Sequence, residues 1–215
     1  GTLVAAIRHD WSPASIDTLL DCIELGVCSS PGVKEHEWLS RLLGAADAVQ
    51  RLRLHGLLHR INTGGRWYAE LAGLVPDPAL CAPLRHSFAA LTQDRTIVWQ
   101  GDSPASWQQE SSAQGDWPRA LAELLKLMVH HADAELVDWL IALLGSDSGW
   151  ATHVAMHLAE LCERFDSPVL REALRTLLVW QARPGESFEP IIRGRVFYEL
   201  ARLGDVAAIP LYPLA

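Results

Sequence analysis

The chain has 215 residues, of which 49% are hydrophobic, and a formal net charge of −8 at neutral pH. A chain of this length and composition can bury a core, which excludes global disorder. Its net negative charge argues against sequence-independent nucleic-acid binding, because such binding depends on neutralising phosphates with basic side chains.

Helix boundaries recur along the whole chain as a side-chain hydrogen-bond acceptor followed by proline. The acceptor satisfies an unpaired amide of the first turn, and proline at the first helical position has no amide to leave unpaired. Glycines that can end a helix follow at positions 26, 44, 145 and 204. Only residues 96–99 resemble a strand, so we predict an all-α chain of about ten helices. The predicted starts are Ser12-Pro13, Ser30-Pro31, Asp77-Pro78, Ser103-Pro104 and Ser167-Pro168.

Ser103 also follows an apolar stretch and a Gly-Asp pair, and these three letters resemble the nucleophile block of GDSL-type hydrolases. The Asp-x-x-His that this family places downstream is absent, as is the α/β pattern. We therefore predict that Ser103 caps a helix that begins at Pro104.

The C-terminal half has a repeating organisation. Apolar spacing predicts helices at 117–131, 134–144, 150–164, 168–180 and 188–203, with a further helix after Gly204. The aspartates of the intervening turns, Asp133, Asp166 and Asp205, are 33 and 39 residues apart. Helix pairs at such a period are typical of an α-solenoid, in which each unit buries its apolar face against its neighbours.

The stretch RLGDVAAIPLYPL at 202–214 resembles the turn and second helix of HEAT and armadillo repeats. This resemblance implies stacked antiparallel helix pairs, a HEAT-like α-solenoid, over residues 116–215. We predict an N-terminal helical region at 1–100 and a linker or short helix at 101–115. Since the chain starts without methionine and a repeat is cut at Ala215, we expect a processed or excised piece of a longer polypeptide.

Two histidine pairs have the four-residue spacing that places both imidazoles on one helix face. His55 and His59 form the first, and His153 and His157 form the second, with Glu160 three residues further on. If their helices met, these side chains would resemble the metal ligands of helical bundles. Arginines nearby would oppose a cation, and no HExxH sequence is present. We predict no metal and no cofactor, and retain a His/carboxylate metal-dependent enzyme as an alternative.

The strongest charge asymmetry lies at residues 101–170, which carry 3 basic and 11 acidic groups, a net −8. Tryptophans occur in and beside this segment, and tryptophan next to charge is typical of protein interfaces. Packing within the fold is the competing interpretation of these residues. The predicted partner-binding residues are Trp99, Trp107, Trp117, Asp133, Asp138 and Trp150.

The basic counterpart lies at Arg41–Arg66, which would bind an acidic partner or form a solvated helix face. The four cysteines form no CxxC pair, and no apolar run reaches the roughly 18–20 residues that cross a bilayer. The opening residues also lack the features of a signal peptide, so we expect a cytoplasmic protein with reduced thiols.

These patterns predict a non-enzymatic scaffold that presents a helical-repeat surface to another protein, with a basic surface on that partner as one possibility. A small acidic inhibitor or immunity protein that neutralises a basic toxin is a further alternative.

Overall fold

The structure, a computed structural model, describes residues 10–26, 41–60, 71–93, 99–100, 103–104, 117–146, 150–179 and 190–211. Helices dominate these ranges, which confirms the predicted all-α fold. None of the helices within them is long and apolar enough to cross a bilayer. The α-helices are α1 (Pro13–Glu24), α2 (Ala48–Gly56), α3 (Cys81–Thr92), α4 (Trp117–His130), α5 (Leu136–Ser146), α6 (Ala151–Leu161), α7 (Pro168–Val179) and α8 (Pro190–Arg202). Shorter 3₁₀ helices lie at Leu58–Arg60, Pro78–Leu80 and Val206–Leu211.

The predicted helix starts at Ser12, Asp77 and Ser167 are confirmed. Ser12 Oγ accepts a hydrogen bond from the Ser15 amide at 3.4 Å, and Ser167 Oγ accepts one from the Leu170 amide at 3.1 Å. Asp77 caps the 3₁₀ helix that leads into α3. Each of these helices therefore begins at its proline, as capping chemistry requires. The start predicted at Ser30 lies outside the described residues.

The helix start predicted at Ser103 is wrong. Ser103–Pro104 forms a two-residue strand, β2, which pairs antiparallel with β1 (Trp99–Gln100). The register places Trp99 opposite Pro104 and Gln100 opposite Ser103. Proline can occupy such a pair because a strand at a sheet edge does not need every amide. Within the stretch 96–99 that resembles a strand, Trp99 lies in β1, and residues 96–98 lie outside the described residues.

Two of the four predicted glycine stops have the left-handed backbone that ends a helix. Gly26 and Gly204 both have φ of 70°. Gly44 and Gly145 instead lie within helical residues, because the helices continue to positions 45 and 146. The sequence places α4 to α8 within three residues of their observed ends, and the helix predicted after Gly204 is a 3₁₀ helix.

The first compact unit comprises residues 1–96 and 110–131. Within its described part, α1 packs on α2, α2 on α3, and α3 on α4. Apolar residues at helical spacing form the contact faces, such as Leu20 on α1, Phe88 on α3 and Leu124 on α4. Gln50 fixes α2 to α1 by donating to the Pro13 carbonyl at 2.9 Å and to Asp17 at 3.0 Å.

The second compact unit comprises residues 97–109 and 132–215. In it, α5 packs on α6, α6 on α7 and α8, and α7 on α8 and the terminal 3₁₀ helix. The apolar face of α4 packs on α3 in the first unit. Only the helices from α5 onward therefore belong to the second unit.

Two glycine substitutions in the second unit should change stability in opposite directions. Gly204→Ala forces a left-handed conformation on alanine, and we expect it to lower the free energy of unfolding by about 1 kcal/mol. Gly194→Ala lies inside α8 with open space around it, and we expect a gain of about 0.5–1 kcal/mol. Urea unfolding of both variants checks this, and a loss at Gly194 or a gain at Gly204 would contradict the assigned backbone.

Candidate interaction surface

The turns of the second unit are held by arginine contacts. Arg164, in the turn after α6, donates to the Ala132 carbonyl at 3.0 Å. Arg171 of α7 binds both oxygens of Asp166, in the turn before that helix, at 2.8 and 2.5 Å. These hydrogen bonds lower the pKa of Asp166 and raise that of Arg171. Asp166, which the sequence pattern singled out, is therefore held by a side chain of the following helix, and Arg164 holds the residue before Asp133.

The third turn contact joins α7 to the turn after α8. Arg175 Nη1 of α7 binds both oxygens of Asp205 at 3.1 and 2.9 Å, and Asp205 lies in the turn after α8. The Asp205 side chain is only 4% exposed, whereas that of Arg175 is 26% exposed. Glu172 accepts further hydrogen bonds from Arg175, and these raise the pKa of the guanidinium more than the charge of Asp205 does. A buried carboxylate is thus neutralised by a guanidinium that reaches water.

Asp205 also starts the terminal 3₁₀ helix. Its Oδ1 accepts a hydrogen bond from the Ala207 amide at 3.1 Å. One carboxylate therefore orients the 3₁₀ helix through a backbone amide and attaches it to α7 through Arg175. An open depression of about 410 Å³ lies where these parts meet, lined by Pro168 and Arg171 of α7 and by Val206 of the 3₁₀ helix, among others.

Large apolar side chains are exposed on the two helices that meet at this depression. Val206 is 75% and Ile209 is 64% exposed, and their three-residue spacing places both on one face of a 3₁₀ helix. On α7, Val169 and Val179 are 54% and 52% exposed. We name six of the exposed residues of these two helices the second-helix surface: Val169, Glu172, Thr176, Val179, Val206 and Ile209.

The exposed positions of α7 form a single stripe. At about 100° per residue, positions 169, 172, 176 and 179 fall within roughly 80° of one another on the helix. The opposite face carries the buried residues Leu170, Leu174, Leu177 and Leu178. The stripe is therefore a true outer face, and its two valines are not needed by the core of the unit.

The predicted acidic contact residues are only partly placed at the surface. Asp138 is exposed in the first turn of α5, and Asp133 is half-buried, accepting from the Glu135 amide at 3.1 Å. Trp150 is only 5% exposed and packs edge-on against His153 with ring centroids 6.2 Å apart, so it offers little surface to a partner. Trp107 and the side chains of Trp99 and Trp117 lie outside the described residues.

The two predicted histidine pairs lie in different compact units, His55 and His59 in the first and His153 and His157 in the second. His157 Nδ1 is 3.2 Å from Glu160 Oε2, an ion pair within α6 when the imidazole is protonated. Across the described ranges, no group of three or more His, Cys, Asp or Glu side chains is placed to hold a metal ion.

Two arginines of the basic segment Arg41–Arg66 form hydrogen bonds and ion pairs within the first unit. Arg53 Nη2 binds Asp21 and Glu24 of α1, each at 2.6 Å. These carboxylates raise the pKa of Arg53, with the Glu24 hydrogen bond contributing most. Arg51 Nε donates to the Ala46 carbonyl at 3.1 Å. The segment therefore stabilises the first unit, while Arg66 lies outside the described residues.

Comparisons with protein-family profiles, with curated proteins and with solved structures found no match to this chain. The function is therefore inferred from the chain's own residues and contacts.

The Arg175–Asp205 contact should matter more to stability than the Arg171–Asp166 contact. Arg175→Met leaves the nearly buried Asp205 carboxylate without its guanidinium, whereas Asp166 is 42% exposed and water can replace Arg171. We expect the fall in Tm on Arg175→Met to be several times that on Arg171→Met. Thermal unfolding of the two variants at equal salt measures this, and equal shifts would show that the burial of Asp205 is unimportant.

Proposed function

We propose that the chain is a non-enzymatic protein-binding scaffold, which presents the second-helix surface of stacked helix pairs to another protein. The exposed apolar residues of α7 and the terminal 3₁₀ helix carry this proposal. Apolar residues clustered on an outer face mark protein interaction sites more often than solvated surface. The second-helix surface also mixes valines and isoleucine with a carboxylate, as interfaces with a polar rim do.

The order of neighbours in the second unit supports a stacked arrangement. If α6 and α7 form one pair and α8 and the 3₁₀ helix form the next, stacking requires contacts between first helices and between second helices. Both contacts are present, since α6 packs on α8 and α7 packs on the 3₁₀ helix. The HEAT-like repeat proposed from the stretch at 202–214 has this pattern of neighbours.

We propose a protein partner with a basic and partly apolar surface. Residues 101–170 carry 3 basic and 11 acidic groups, and they include α5 and α6 of the second unit. Net negative charge on a protein accelerates its association with an oppositely charged partner and gives specificity.

The proposal is tested with charge substitutions on the exposed apolar residues. A double variant, Val206→Glu with Ile209→Glu, removes apolar contact area without touching the core, and Val75→Glu is the matched control at an 85% exposed valine of the first unit. We expect a partner recovered on the immobilised wild-type chain and on the control to be retained at least about tenfold less by the double variant, as for the loss of interface anchors.

All three proteins should have the same helical circular-dichroism spectrum, which separates lost binding from lost folding. Equal recovery of every bound protein by the wild type, the control and the double variant would remove the second-helix surface from the proposed interface.

A further inference from the structure

Five histidines gather in the first unit, although they are distant in sequence. The rings of His130 and His131 are 4.7 Å apart, and His131 contacts His55 edge-on at 6.2 Å. His59 contacts His86 in the same way at 5.9 Å. These residues come from α2, the following 3₁₀ helix, α3 and the end of α4, so the cluster lies where the elements of the unit meet.

The cluster is continuous through Ser87 of α3. The Ser87 hydroxyl donates to the His55 carbonyl at 2.7 Å. The His59 Nδ1 atom lies 3.5 Å from the Ser87 Oγ atom. Ser87 is fully buried, so this serine is a packing contact rather than a nucleophile.

Two of the five rings are completely buried, and their hydrogen bonds assign complementary tautomers. His55 Nδ1 lies 2.6 Å from the Arg51 carbonyl, so it carries the proton and Nε2 has the lone pair. His131 Nδ1 lies 3.1 Å from the Asp77 amide and accepts from it, so its Nε2 carries the proton. Both rings have zero exposed area, and neither Nε2 atom makes a hydrogen bond of good geometry within the described residues, although the Leu71 carbonyl acts on the His131 ring.

We propose that the buried His55–His131 pair is an acid-sensitive lock, which holds α2, the loop before Pro78 and the end of α4 together while both rings are neutral. Protonation in weak acid adds two positive charges at a site where both rings are fully buried. It also replaces the His131 lone pair that accepts from Asp77 with a second N–H group. Both effects separate the elements that the pair joins, so the first unit opens.

The charges around His55 favour its neutral form. Burial lowers the pKa of His55 most, the Arg51 guanidinium lowers it further, and the Arg51 carbonyl and the Asp77 carboxylate act in the opposite direction. The packed face of α3 carries no acidic residue, and its Cys81 thiol donates to the Met128 carbonyl instead.

The surroundings of His131 also favour its neutral form. Burial, followed by His130 and His55, lowers the pKa of His131 to about 4, and the Leu71 carbonyl and Asp77 oppose this only in part. Beside the pair, burial and the charge of Arg60 lower the pKa of His59. In the described part of the unit, Asp77 is the one carboxylate whose charge raises the pKa of both buried rings.

The direction of the pH dependence follows from these shifts. An unfolded histidine binds its proton below about pH 6.5, whereas folded His131 does so only near pH 4. Stability is therefore complete above pH 6.5 and is lost as the pH falls towards 4. The folding equilibrium constant should drop about tenfold per pH unit for each ring that stays neutral in the folded state.

The assigned tautomers also argue against a metal between the two rings. A metal ion needs the lone pair of each imidazole nitrogen, and His131 Nε2 presents a proton. The pair supplies one donor and one acceptor, which suits a neutral lock rather than a chelate.

The lock is tested by imidazole NMR titration of the whole chain and by hydrogen exchange. We expect the Nε2-protonated tautomer for His131, the Nδ1-protonated tautomer for His55, and a His131 pKa far below 6.5. After correction for intrinsic rates, protection of α2 and the end of α4 should fall at least about tenfold between pH 7 and pH 5, while that of α7 is unchanged.

A conservative variant separates titration from packing. His131→Asn keeps an acceptor for the Asp77 amide but cannot titrate, and its loss of protection over the same range should be at least about tenfold smaller than in the wild type. His157→Asn in the second unit is the matched control and should behave like the wild type. An ordinary His131 pKa, measured on the wild-type chain, would overturn the proposal even if His131→Asn fails to fold. Identical pH profiles for His131→Asn and the wild type would do the same.

Discussion

The second-helix surface depends on one contact, the ion pair between Arg175 and Asp205. The Asp205 carboxylate is nearly buried and would be costly without a compensating charge. Arg175 supplies that charge from α7, and the Ala207 amide uses the same carboxylate to begin the 3₁₀ helix. The position of Val206 next to α7 therefore follows from an electrostatic requirement rather than from apolar packing alone.

The two compact units differ in the polar side chains that they bury and in how those side chains are compensated. The second unit pairs opposite charges, as with Glu199, which is 1% exposed and contacts both Arg195 and Arg202 on its own helix. The first unit buries His55 and His131 as neutral rings with few hydrogen bonds. Histidine is the side chain that changes its charge in weak acid, so the two buried imidazoles make the first unit sensitive to pH. The units should therefore respond differently to weak acid.

The sequence predicted the helix boundaries that depend on interactions between residues close together in the chain. The caps at Ser12 and Ser167 and the left-handed glycine at position 204 act within a few residues, so a single chain suffices to recognise them. Ser103 had the same cap sequence, but pairing with Gln100 placed it in a strand, and pairing cannot be read from a cap. The burial of Trp150 was also beyond local pattern, because composition alone does not separate packing from interface.

The sites themselves were harder to predict than the helices. His55 and His131 meet although they are 76 residues apart, and the spacing rule that singled out His55 and His59 compares positions only along one helix. The exposed pair Val206 and Ile209 was within the quoted repeat sequence, yet its exposure depends on a 3₁₀ geometry that α-helical spacing does not reveal. The most direct test of the interaction surface is site-specific photocrosslinking in cells, with a photoreactive amino acid at position 206 or at position 75. The account predicts a covalent adduct with one partner protein from position 206 and none from position 75, and adducts from neither position or equally from both would contradict it.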